Sequence, residues 1–234
     1  MKIAIYGQRL EDNYLSFIHV LFQDLLNKDV EVVVCEKFYK DLSERIELDN
    51  RLKIFKDHLD MDGVNYLFSI GGGTLLKTIT YVRDSNIPIF GINTGRLGFL
   101  TSIATEEIEF AIDAILAGDF DLDRRTLLSL ETENNLFGEV NYALNEITLQ
   151  KKDTSSMITI QVYLNGEFLN SYWADGIIIS TPTGSTAYSL SCNGPIILPG
   201  SGNIIINPIA PHNLNVRPVV VPDDTELTLK IKGR

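Results

Sequence analysis

Long hydrophobic runs are missing from this chain of 234 residues. Its apolar stretches are short and rich in strand formers, and none reaches the roughly 20 residues of a membrane-spanning helix. Basic charge is also scarce: 20 Lys and Arg against 31 Asp and Glu leave a net charge of −11. A general nucleic-acid binder needs a basic face to displace counterions, so that class is excluded. A small anionic ligand is not, because backbone N–H groups and a few cations hold phosphate even in an acidic protein. Cysteine is limited to Cys35 and Cys192, and histidine to His19, His58 and His212. These residues form no metal-ligand spacing, so no metal site is expected. Two thiols so far apart read as reduced, in a cytoplasmic protein. Repeats, low-complexity tracts and a flexible linker are absent. Met1 leads straight into a strand-like Lys2–Tyr6, without the layout of a signal peptide.

What is present suits a globular chain. A hydrophobic fraction of 44% and a charged fraction of 22% allow one large domain or two modest ones. Up to Gly118, strands and helices alternate. Lys2–Tyr6, Val30–Cys35, Tyr66–Ile70 and Ile87–Ile92 read as strands, and Tyr14–Leu26, Thr74–Arg83 and Thr105–Leu116 as helices. Phe38–Leu59 reads as one or two exposed helices. Thr105 is placed to cap its helix, and Gly118 to end it. This alternation implies a parallel sheet with right-handed crossovers. After Gly118 the texture changes to short, turn-separated β segments: Arg125–Thr132, Val140–Leu149, Met157–Leu164, Phe168–Trp173, Gly176–Ser180 and strands within Asn203–Arg234. Asn165-Gly166 predicts a hairpin. Only Thr186–Ser191 reads as a short helix, with Ser185 or Thr186 as its cap.

Four stretches carry chemistry. The first is Ser69-Ile-Gly-Gly-Gly-Thr-Leu-Leu76. A strand that stops at Gly71, Gly72 and Gly73 before Thr74 opens a helix is how α/β proteins build a phosphate cradle. A plain tight turn is the alternative. The second, Asn93-Thr-Gly-Arg-Leu-Gly-Phe99, follows the next strand, at the same carboxyl edge of the sheet. The third is Asn145-Glu146, a polar pair between Leu144 and Ile147. Burying a carboxylate costs on the order of several kcal/mol unless it is partnered. Ribose hydroxyls are suitable partners, and an exposed edge or bulge is the alternative. The fourth runs from Asp175-Gly176 through Thr181-Pro-Thr-Gly-Ser-Thr-Ala-Tyr-Ser-Leu-Ser191. So many hydroxyls can supply neutral hydrogen bonds to a ribose, an amide or an adenine edge.

In this order, the four stretches resemble those of the NAD kinases, which phosphorylate the 2′-hydroxyl of NAD's adenosine ribose. Gly194-Pro-Ile196 and Ala210-Pro-His-Asn-Leu214 extend the resemblance to essentially the whole chain. It implies an N-terminal Rossmann-like parallel α/β domain (1–118) and a mostly β, sandwich-like domain (119–234) sharing a cleft. NAD and ATP would be the partners, with Mg²⁺ or another divalent cation bridging ATP phosphates. The implied ligand-binding residues are Gly71, Gly72, Gly73, Thr74, Asn93, Asn145, Glu146, Asp175, Thr186, Ala187, Tyr188, Ser189, Leu190 and Ser191. Of these, Gly73 would lie against phosphates, Asn145 and Glu146 would hold ribose, and Asp175 would sit near the nicotinamide or adenine end. A homo-oligomer, dimer or tetramer, is implied too.

Three departures accompany the resemblance. The family's turn reads Gly-Gly-Asp-Gly-Thr, whereas here Gly71-Gly72-Gly73-Thr74 lacks the acidic residue that would fall between Gly72 and Gly73. In the family that Asp is the proposed general base, so the catalytic residue is unknown from the sequence. Neither Glu146 nor Asp175 declares itself a replacement, and a catalytically impaired NAD(P)-binding module is the competing expectation. Family members also continue some tens of residues past Arg234, so the second domain is expected to be C-terminally incomplete. Trp173 stands where some members carry Arg.

Overall fold

The computed structural model describes residues 1–71, 73–95, 100, 103–152, 156–213 and 215–232. They divide into two compact units, Met1–Leu122 and Asp123–Arg234.

The first unit is built on a parallel sheet of six strands: β1 (Lys2–Gly7), β2 (Glu31–Cys35), β3 (Lys53–Phe55), β4 (Tyr66–Ile70), β5 (Ile89–Asn93) and β6 (Ile103–Ala104). Three helices connect strands of this sheet, α1 (Leu15–Asn27), α2 (Glu36–Ser43) and α3 (Leu75–Val82), and α4 (Ile108–Ala117) follows β6. The strand order β3-β2-β1-β4-β5-β6 reverses direction between β1 and β4. Ligands of open α/β sheets bind beyond the carboxyl ends of the strands at such a point. Buried Ile3, Ile5, Val32, Val34, Leu67 and Phe68 form continuous apolar runs, as expected where helices cover a parallel sheet. The apolar stripe of α1 (Ile18, Leu21, Phe22, Leu25, Leu26) packs into the same core.

Two local expectations are corrected. Phe38–Leu59 is not all helix: α2 ends at Ser43, and Lys53–Phe55 pairs with Val33–Cys35 as an edge strand. With three residues and only Phe55 buried, that strand leaves no alternating pattern to read. Thr105 does not cap α4 but begins a 3-10 turn, and its hydroxyl bonds to Glu106. β6, two residues long, was invisible for the same reason as β3.

The second unit is antiparallel. Its strands are β7 (Leu128–Ser129), β8 (Tyr142–Ala143), β9 (Glu146–Gln150), β10 (Ile158–Leu164), β11 (Glu167–Ala174), β12 (Gly176–Ser180), β13 (Asn203–Ile209), β14 (Val219–Pro222) and β15 (Leu227–Lys232). A sheet β11-β10-β15 and a sheet β14-β13-β12-β9 share one core. Ile160, Val162, Tyr172 and Ala174 come from the first, and Ile177, Ile179, Ile204, Ile206 and Val221 from the second. That is sandwich packing, each strand turning alternate residues inward. Asn165 and Gly166 both take positive φ (49° and 86°), the geometry of a two-residue hairpin between β10 and β11. After β12 come a 3-10 turn (Thr183–Thr186) and the short helix α5 (Tyr188–Ser191). Neither Ser185 nor Thr186 caps α5, which starts from Ala187 without a side-chain cap. Ser185 is drawn instead to Pro182 O (2.6 Å) and Ile197 N (3.0 Å).

Candidate functional site

In the first unit the site begins where β4 ends. Gly71 takes φ +105°, a conformation that side chains other than glycine's rarely adopt, and its N–H donates to Ile92 O at 2.9 Å. The turn is thereby fastened to β5. Thr74, 5% exposed, shares a 2.8 Å hydrogen bond with Ser69 Oγ and donates to the carbonyls of Ile70 and Gly71. Its hydroxyl therefore holds the turn closed. Gly73 is open: no described atom lies within 4 Å of where a Cβ would be. Asn93, at the end of β5, accepts from Gly95 N–H at 3.1 Å. Gly72 and residues 96–99 lie outside the described residues, so the middle of the glycine motif and most of Asn93–Phe99 are not placed.

In the second unit the third and fourth stretches come together. β9 pairs with β12 so that Glu146 lies opposite Ser180. The chain leaving β12 then wraps the backbone just before Glu146. Thr181 N–H donates to Asn145 O (2.9 Å), and Thr181 Oγ1 donates to Leu144 O. Gly184 approaches so closely that an added Cβ would lie 2.1 Å from Asn145 O. Only glycine fits there.

This anchoring leaves two side-chain atoms stranded. Asn145 Oδ1 and Glu146 Oε2 are buried and have no hydrogen-bond partner among the described residues. Burial raises the Glu146 carboxyl above its ordinary value, since desolvation disfavours the charged form. A buried acceptor without a partner costs about 1–3 kcal/mol, more if charged. Both are acceptors on consecutive residues, and hydroxyl donors of a ligand would suit them. Glu146 does open an edge strand, β9, but its Oε2 is buried there.

The hydroxyl-rich run behaves differently from the expectation of a loop full of free donors. Ser180, Thr181, Ser185 and Ser189 are fully buried. Ser180 and Thr181 bond around Asn145, and Ser185 ties the turn to Ile197. Thr183 receives a bond from Arg125 (3.2 Å), and Thr186 donates to Thr183 O (3.3 Å). Buried hydroxyls must be satisfied, and here they satisfy the backbone of their own motif. In α5, Ser189 faces inward, whereas Tyr188, Leu190 and Ser191 are exposed.

One residue of this site escaped the sequence reading. Asn207 on β13, 1% exposed, donates from Nδ2 to Ser189 O (2.9 Å), Ser189 Oγ (3.2 Å) and Cys192 O (3.3 Å). It fastens α5 to the sheet. Its signal was an amide inside Ile204-Ile-Ile-Asn-Pro-Ile209, the same kind of anomaly that marked Asn145-Glu146.

Asp175 is engaged: its Oδ1 lies 2.6 Å from Lys151 Nζ. Two residues earlier, Trp173 is half exposed and meets the His212 ring at 4.3 Å, with His212 N–H donating to Trp173 O. Ala210, at φ +42°, turns the chain into Pro211-His212.

Two solved structures share this architecture. Yeast NADH kinase, complexed with NADH, matches with a TM-score of 0.87 and 25% identity over 99% of this chain and 72% of that one. An NAD kinase from Archaeoglobus fulgidus, in complex with ATP, matches with a TM-score of 0.76 and 24% identity over 99% and 81%. The fold is therefore one that dinucleotide kinases use. Sequence narrows this further. Residues 3–120 match the ATP-NAD kinase N-terminal domain and residues 144–234 the ATP-NAD kinase C-terminal domain. The NAD kinase of Flavobacterium psychrophilum is 50% identical over all of this chain and 81% of its own length. The chain belongs to the ATP-NAD kinase family.

Proposed function

We propose that this chain transfers the terminal phosphoryl group of ATP to the 2′-hydroxyl of the adenosine ribose of NAD, giving NADP. The observation that carries the reading is the buried, partnerless acceptor pair, Asn145 Oδ1 and Glu146 Oε2. Two vicinal ribose hydroxyls would satisfy both. On this reading Thr186, Ala187, Tyr188, Ser189, Leu190, Ser191 and Asp175 surround the dinucleotide, with Asp175 met by Lys151. Gly71, Gly72, Gly73, Thr74 and Asn93 form the phosphate side, with free space in front of Gly73. The complexes of the two fold neighbours, with NADH and with ATP, agree with these ligands.

ATP brings a divalent cation, Mg²⁺ in our reading, which neutralises phosphate charge. Among the described residues no group of three or more His, Cys, Asp or Glu is placed to hold a metal. The ion would be held by the phosphates of ATP. No helix among the described residues is long and apolar enough to cross a membrane. We place the enzyme in the cytoplasm as a homo-oligomer, dimer or tetramer.

The test is a coupled assay for NADP formed from NAD, ATP and Mg²⁺, beside a calorimetric titration with NAD. Turnover together with binding is expected, and Asn145→Ala should weaken NAD binding. A chain that neither binds NAD nor forms NADP overturns the reading. One observation favours a second reading, a binding module: Ser69–Thr74 contains no acidic residue. Its signature is NAD binding without turnover.

A further inference from the structure

A hydroxyl that attacks phosphorus must give up its proton, and the glycine turn of this chain has no side chain to take it. Most carboxylates near the motifs of the second unit are already committed. Asp175 is paired with Lys151 at 2.6 Å. Asp123 is bound by Arg125, and Asp223 accepts from Thr126 at 2.9 Å. Glu146 is the exception, with Oε2 buried and free of any partner among the described residues. It is also rigidly mounted. The preceding peptide is gripped by Thr181 N–H and crowded by Gly184, and the strand pairing opposite Ser180 fixes its direction.

We propose that Glu146 is the general base of this chain, accepting the proton of the ribose hydroxyl as that oxygen attacks the terminal phosphorus of ATP. The inference rests on the reading of Asn145-Glu146 as the ribose site. Asn145 Oδ1 accepts from one hydroxyl and Glu146 from its neighbour, the nucleophile. The O–P bond to the ribose forms, and the P–O bond to the β-phosphate breaks with its electron pair leaving on ADP. The proton passes to the Glu146 carboxylate and then to solvent. The surroundings suit a base. The elements packed against Glu146, the end of β12 and the Thr181–Thr186 turn, present hydroxyls. Among the described residues, the cation bonded to that turn is Arg125, on Thr183 and matched by Asp123. Lys151 and Asp175 neutralise each other at the far end of the β9–β12 pair, beside Gln150 and Gly176. Burial is the one influence resolved on the carboxyl, and it raises proton affinity, as a base near neutral pH requires.

The experiment compares four proteins: the chain itself, Glu146→Gln, the chain with an aspartate inserted between Gly72 and Gly73, and both changes together. For each, kcat and KM for NAD are measured against pH, with NAD affinity by titration and folding by circular dichroism. Glu146→Gln replaces the carboxylate with an amide of the same shape. It is expected to lower kcat about 10²–10⁴-fold, to leave NAD affinity within a few-fold, and to flatten the acidic limb of the kcat profile. A fifth protein, Glu146→Asp, which keeps the carboxylate, should recover part of the loss. With the inserted aspartate, Glu146→Gln should cost about tenfold or less. An equal loss in both backgrounds, or a KM effect with kcat intact, overturns the proposal and leaves Glu146 a ribose ligand. An original chain that binds NAD but turns over only with the inserted aspartate also overturns it, while the NAD kinase reading of the site survives. Absence of NAD binding in all four proteins sinks both.

Discussion

The candidate residues of the two units are held in place by opposite means. In the first unit the cradle is backbone: a glycine at positive φ, one threonine holding the turn, and open space at Gly73. In the second unit it is side chain and close packing: Gly184 against Asn145 O, a run of buried hydroxyls, and Asn207 pinning α5. A phosphate needs only N–H groups and room, which a glycine turn provides. A ribose needs acceptors at fixed positions, which a sheet edge braced by buried hydrogen bonds provides. The second half should therefore tolerate far less change.

The largest test of that contrast exchanges a glycine in each half. Gly184→Ala should cost about 3 kcal/mol in a denaturant melt and abolish measurable NAD binding, since Asn145 O cannot yield without moving β9. Gly73→Ala, with no described atom within 4 Å of the added Cβ, should leave the melt unchanged. If the two behave alike, the contrast is wrong. Next in size is Asn207→Ala, which strands the carbonyls of Ser189 and Cys192. A loss of about 2 kcal/mol is expected, together with weaker NAD binding. Thr74→Val should cost about 1 kcal/mol and loosen only the first half, with NAD affinity as the control.

The smallest effect concerns pH. The folded state holds the Glu146 proton more tightly than the unfolded chain does. Stability from this group is thus fully present below the ordinary glutamate range and lost as pH rises through the raised value. Without ligand, Glu146→Gln should melt higher than the parent at pH 7 and equal to it at pH 4. A gain at pH 4 as large as that at pH 7 would mean that Glu146 is not strained by burial.

Much of the site was legible because its signals were anomalies in a regular pattern. Three glycines interrupt a strand-to-helix junction, Asn145-Glu146 interrupts an apolar strand, and Thr181–Ser191 is dense in hydroxyls. Asn207 sent the same signal and was passed over, because it sat among strands with no motif to draw attention to it. Other misreadings have a common cause. β3 and β6 are three and two residues long, too short for periodicity to register. Whether the hydroxyls of Ser180–Ser191 face a ligand or their own backbone depends on which strands lie beside them.

The sequence by itself determined the alternation of the first unit, the antiparallel habit of the second, the family, and the missing acidic residue at the turn. These are local or countable properties, carried by periodicity, turn residues and motif order. Only the tertiary structure decided which carboxylate is free. Asp175 and Glu146 look equivalent along the chain. Lys151, just past the strand paired with β12, neutralises the first, while the wrap of Thr181–Gly184 buries the second without a partner among the described residues. Pairing and desolvation arise from residues tens of positions apart, and the fold alone brings them together.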